Sequence, residues 1–95
     1  MIADFLLTGE ANATPAKELC KLIECNSREL TRQIEYERRQ GQPICASCNS
    51  RNPGYYLAKD KGGMKAYCGK LLHRMGEIAA TLRCCKSSID QLDEQ

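Results

Sequence analysis

The sequence has no apolar run long enough to span a membrane, and nothing in it has the form of a secretory leader. Its amino-terminal stretch, Met1–Leu7, is apolar but short, is interrupted by Asp4 and has no basic start. It holds a single histidine, His73, and a single Cys-x-x-Cys pair, Cys45 and Cys48, whereas tetrahedral zinc needs four ligands. Cys20 and Cys25 fall on the other side of the expected core, Cys84 and Cys85 are adjacent on a helix, and His73 lies on that helix's polar side. No metal and no cofactor is therefore expected. A nucleophile beside a base, a glycine-rich phosphate loop and paired carboxylates in a pocket are all missing, so an enzyme is not expected either. The seven cysteines are an odd number in a chain with no sign of export. That argues against a disulfide framework and for a cytoplasmic protein with reduced thiols, in which Cys20, Cys68 and Cys85 serve as small apolar residues.

Ninety-five residues, 42% hydrophobic and 27% charged, allow one small folded domain and an appendage. Such a small core is marginal alone, which favours self-association. A net charge of +2 is too weak to argue for a nucleic-acid partner, but its distribution is uneven. Residues 1–14 sum to −2 and those from Ser87 onward to −3, while residues 62–86 carry five basic groups against Glu77. Acidic ends around a basic middle suit one central surface that meets an anion.

Along the chain, Ile2, Phe5 and Leu6 recur with helical spacing and predict a short first helix with one apolar stripe. Gly9–Ala13 reads as a loop. Thr14 and Pro15 then form a helix start, with a hydroxyl at the N-cap and proline at the first helical position. Ala16, Leu19, Cys20 and Ile23 define the buried face of this second helix. Asn26-Ser27 breaks it and caps a third helix, expected from about Arg28 to Arg39 and ended by Gly41 and Pro43. Leu30 and Ile34 point inward there, and Arg28, Arg32, Glu35 and Arg39 occupy the opposite face. Residues 43–46 and 55–58 look like two strands around the turn-rich Asn49–Gly54, with Arg51 at the tip and one of Tyr55 and Tyr56 in the core.

From about Lys61 the pattern changes. Met64, Cys68, Leu71, Met75, Ile78, Leu82, Cys85, Ile89 and Leu92 alternate by four and three residues, the a/d repeat of a coiled-coil seam. Cys68, Met75, Leu82 and Ile89 fall at a, the others at d. Leu72 and Ala79 widen the stripe at e, which leaves the helix able to touch its own first domain as well. A helix of about 30 residues spans roughly 45 Å, too long for so small a domain to cover, so pairing with a second copy is the better expectation. No opposite-charge e/g pairs set its direction, and parallel and antiparallel pairing both stay open.

The fold class expected is thus mainly α with a small β-hairpin: a winged helix-turn-helix over 1–60, followed by a long coiled-coil helix over 61–95. The sequence resembles small winged-helix DNA-binding proteins encoded by bacteria and their phages or prophages. The residues that carry the likeness are Gly9–Thr14, Ser27–Leu30, Glu37–Arg39, Gly41–Ser47 and Gly54–Ala58. The resemblance implies a winged-helix fold and DNA binding. Taken with the coiled-coil seam, it makes the expected function sequence-specific duplex-DNA binding as a homodimer, a transcriptional regulator of phage or mobile-element type. It places Arg28, Thr31, Arg32 and Glu35 in the major groove and Arg51 near the minor groove or backbone. Arginine forks match guanine or phosphate, and Glu35 can accept from cytosine N4. Arg38, Arg39, Lys59 and Lys61 are expected on phosphates. Glu29, Glu35 and Glu37 on the same helix count against DNA unless arginines pair with them. The alternative is a winged-helix module that docks on a host nucleoprotein; no membrane is expected as a partner.

Overall fold

The computed structural model describes residues 1–47 and 49–93. Two 3-10 turns, Ile2–Phe5 and Glu10–Asn12, precede helices α1 (Ala16–Ile23) and α2 (Ser27–Arg39). The hairpin strands β1 (Ile44–Ser47) and β2 (Gly54–Leu57) follow, and the chain continues as one long helix, α3 (Lys61–Asp93). It divides into two compact units, Met1–Met64 and Lys65–Gln95. The molecule is mainly helical, with one two-stranded antiparallel sheet and a long carboxy-terminal helix. Among the described residues no helix is long and apolar enough to cross a membrane.

The core of the first unit is Ile2, Ala3, Leu6, Leu19, Leu30, Ile34 and Ile44, with Cys20, Ile23, Cys25, Tyr55 and Leu57 partly buried around it. The expected first helix is only one 3-10 turn, because Leu6 already has extended backbone. Ala3 is buried in place of Phe5, which stays 47% exposed. In α1, Leu19 is fully buried and Ala16 is exposed, so the apolar face is narrower than its spacing predicts.

Thr14 does not cap α1. Pro15 holds the N-cap position, and no side chain bonds there. Thr14 instead exchanges both backbone hydrogen bonds with Tyr55, each 2.9 Å. Further along β2, Gly9 N–H donates to the Leu57 carbonyl and Leu57 N–H to the Leu7 carbonyl. The supposed loop thus covers the outer edge of β2, which would otherwise present unpaired backbone groups. Gly54 permits the approach: its φ is +131°, and a Cβ there would collide with the Thr14 carbonyl and the Pro15 nitrogen.

Between the helices, Glu24 adopts the left-handed conformation (φ 52°) and ends α1. Asn26 and Glu29 then form a reciprocal capping box. The Asn26 carboxamide oxygen accepts from Glu29 N–H at 2.8 Å, and the Glu29 carboxylate from Asn26 N–H at 3.1 Å. In the hairpin, Ile44 pairs with Leu57 and Cys45 with Tyr56. Both strands lie within one residue of their expected bounds. Ile44, Tyr55 and Leu57 belong to the main core, while Cys45 and Tyr56, on the alternate positions, are buried on the other face of the sheet.

Candidate nucleic-acid interface

With Leu30, Ile34 and Glu37 buried on α2, helical geometry puts Arg28, Arg32, Glu35, Tyr36 and Arg39 on the opposite side, and all five are exposed. Tyr36, 57% exposed, is the member that pattern reading missed. Counting outward from Leu30 and Ile34 locates it one position past Glu35.

The three glutamates that count against an anion partner are engaged within the protein. Glu29 closes the capping box. Glu37 is fully buried and receives Ile2 N–H at 2.7 Å, Ala3 N–H at 2.8 Å and the Gln33 amide at 2.9 Å. Burial alone would raise the Glu37 pKa. The bonds from Ala3, Gln33 and Ile2, with the Met1 amino group, outweigh it and hold the pKa below the usual glutamate range. Glu35 pairs with the Arg38 guanidinium at 3.0 Å. Glu37 therefore belongs to the core and is removed from the outward charges. Its place three residues beyond Ile34, on the inward face, is the signal that could have identified it.

Arg38 is half-buried, and its Nε donates to the Ile44 carbonyl at 3.0 Å, which ties α2 to β1. Its guanidinium is thus shared between the Ile44 carbonyl and the Glu35 carboxylate. The Thr31 hydroxyl, exposed on α2, donates to the Ser27 carbonyl at 3.1 Å. Arg51 is exposed on the turn between the strands, where its N–H donates to the Asn49 side chain at 2.9 Å. Lys59 and Lys61 are exposed on either side of Asp60, whose carboxylate accepts Gly63 N–H at 2.8 Å at the start of α3. Arg28, Arg32 and Arg39 thus share one helix face, while Arg51 and the two lysines sit on other elements.

The residues expected in the α3 seam divide. Met64 is half-buried, with its sulfur 3.8 Å from that of Cys45, and so is engaged on the hairpin. Cys68, Leu71, Met75, Ile78, Leu82, Cys85, Ile89 and Leu92 are all exposed. Leu72 and Ala79 are exposed too, Leu72 at 64%. His73 pairs with Glu77 at 3.1 Å on the helix surface.

Cys45 is buried, and Cys48 lies outside the described residues. Among the described residues, no group of three or more His, Cys, Asp or Glu side chains could hold a metal ion. The Cys25 thiol has its pKa raised by burial, by a hydrogen bond with the free thiol of Cys20 and by the nearby Glu29 carboxylate. Cys25 lines an open groove of about 330 Å³ with Met1, Phe5, Ile23, Glu29 and Gln33. No protein-family model matches the chain, and neither a curated protein nor a solved structure does.

Proposed function

We propose that the chain is a winged helix-turn-helix protein that binds duplex DNA as a homodimer, a transcriptional regulator of the type encoded by phages and mobile elements. In this reading α1 and α2 form the helix-turn-helix, the hairpin is the wing, and α3 joins two copies. One observation carries it. The outward face of α2 keeps Arg28, Arg32 and Arg39 exposed, while Glu29 and Glu37 on the same helix are consumed by a cap and by the core. Arg28, Thr31 and Arg32 then meet base edges, with Glu35 beside them. Arg39, Arg51, Lys59 and Lys61 meet phosphates, and Arg38 positions the helix against β1. Two copies on one side of the duplex would read half-sites about one helical turn (~34–36 Å) apart.

The test is a salt titration of binding to random and selected duplexes. The logarithm of the affinity should fall linearly with the logarithm of salt concentration. Replacing Arg28 and Arg32 by alanine should cost about 1–3 kcal/mol per base contact on the selected site and less on random DNA. No measurable binding at low salt, or an unchanged affinity in the double variant, rejects the reading.

Tyr36 favours a second reading, docking on a host nucleoprotein. An exposed tyrosine among arginines is the composition of a protein interface, and the net charge is only +2. In that case Tyr36→Ala, rather than the arginine variants, abolishes binding to the protein partner, and DNA is not bound.

A further inference from the structure

The exposed stripe of α3 has a second copy of itself as its natural cover, and the residues flanking it select a direction. This inference rests on the homodimer reading above and deepens it. We propose that α3 pairs antiparallel with α3 of a second copy, in the register that sets Cys68 opposite Cys85 of that copy.

Three features carry the assignment. The first is a hole of the right kind. Ile78, Thr81, Leu82 and Cys85 bound a hollow of about 470 Å³ on the helix surface, with Arg74 and Glu77 beside it. Successive d, g, a and d residues form the four-cornered hole that receives one knob of a facing helix, whichever way that helix runs, so the hole argues for pairing and the flanks for its direction. In the proposed register, Leu71 of the second copy fills it.

The second feature is the apolar flank. In a parallel pair e positions face g positions, so Leu72 would face Tyr67 and Ala79 would face Arg74. Tyr67 is already buried within its own chain. In an antiparallel pair e faces e and g faces g. Leu72 then meets Ala79 of the second copy, and Arg74 meets Thr81. The 64% exposure of Leu72 is relieved in one arrangement and left in place in the other. The same register stacks Leu71 on Leu82 and Met75 on Ile78, and it leaves the smaller Cys68 and Cys85 to face each other.

The third is charge. The stretch 62–86 is strongly basic, while the chain from Ser87 onward is acidic. A parallel pair gains no opposite charge across its flanks, since Arg74 faces Ala79 and Lys86 faces Thr81. The antiparallel pair brings the exposed Asp90 of one copy within a turn of Lys61 and Lys65 of the other. It also sets Lys65 near Lys86 of the second copy, and Asp90 on that flank offsets the repulsion. Opposed helix dipoles add to the preference.

The cysteines report the register directly. The full-length chain at micromolar concentration is first placed in a sedimentation experiment, then treated with oxidised glutathione, a disulfide oxidant. Each bridge forms when one thiolate displaces glutathione from a mixed disulfide on the other cysteine, so closing one bridge reduces one oxidised glutathione to two thiols. Peptide mapping should recover a Cys68–Cys85 link between chains. Covalent dimer should survive Cys84→Ser and be lost in Cys68→Ser and Cys85→Ser alike. A dimer linked Cys68–Cys68 or Cys85–Cys85, a Cys68→Ser variant that still cross-links through Cys85, or a dimer that does not cross-link overturns the antiparallel register and leaves the homodimer standing. A monomer in sedimentation overturns both.

Discussion

A carboxylate that accepts two backbone N–H groups is bound more strongly than a neutral amide could be, because ionised acceptors make roughly twice the bond. Glu37→Gln keeps the shape of the side chain but points an NH₂ group at Ile2 or Ala3, both of which donate to the carboxylate. The variant should lose roughly 1–3 kcal/mol at neutral pH, read from urea unfolding followed by far-ultraviolet circular dichroism. The sign of its pH dependence follows from the lowered pKa of the folded protein. Stability from Glu37 is complete above the unfolded glutamate value, about 4.3, and is lost as pH falls through the folded value. The wild-type protein should therefore lose stability on acidification more steeply than the variant. A glutamate on a helix rich in arginine reads as surface charge in sequence. Its inward position can be counted from Leu30 and Ile34, but the backbone amides that satisfy it come from Ile2 and Ala3, far away in the sequence, and no local pattern reveals them.

Elements whose ends are set by neighbouring residues were legible. Asn26 and Glu29 stand three apart, as a capping box needs, and α2 begins where they place it. Asn26→Ala should cost about 1 kcal/mol, measurable as a shift in thermal midpoint, and Asn26→Ser much less. The long α3 was legible for a related reason: its apolar spacing repeats over most of its length. Segments whose partners are distant were not legible. Thr14 and Pro15 carry the sequence of a helix cap, but the Tyr55 backbone claims Thr14, and two hydrogen bonds outweigh one local preference. The segment from Leu7 to Gly9 has no strand signature at all and still pairs with Leu57, because β2 needs its outer edge covered. Phe5 belongs to the same class. Its spacing promised burial, but the turn that carries it ends too soon.

At the scale of the molecule, the two units divide the proposed work. The first holds the arginine face, and the second holds a stripe of exposed apolar residues that a lone chain leaves in water. Ile78→Asp together with Leu82→Asp should give a monomer in sedimentation whose first unit still unfolds cooperatively. Linking two sites raises apparent affinity about 10²–10⁴-fold without new contacts, so this variant should lose on that order on a two-half-site duplex. On a single half-site it should be unaffected. Comparing the two duplexes by fluorescence anisotropy measures the loss. The uneven charge along the sequence hinted at this division, but the exposure of Leu72 and Ala79 had to be seen in three dimensions.

The stitching of residues 7–14 onto β2 also bears on the order in which the chain can be completed during synthesis. Gly9 and Thr14 have no acceptors for their amides until Tyr55 and Leu57 have left the ribosome. A nascent chain halted within the turn before Gly54 would hold α1 and α2, with Ile2 and Ala3 on Glu37 and residues 7–14 still unplaced. The first unit is therefore closed by nearly its last residues, and residues 7–14 are fixed only when its final strand arrives.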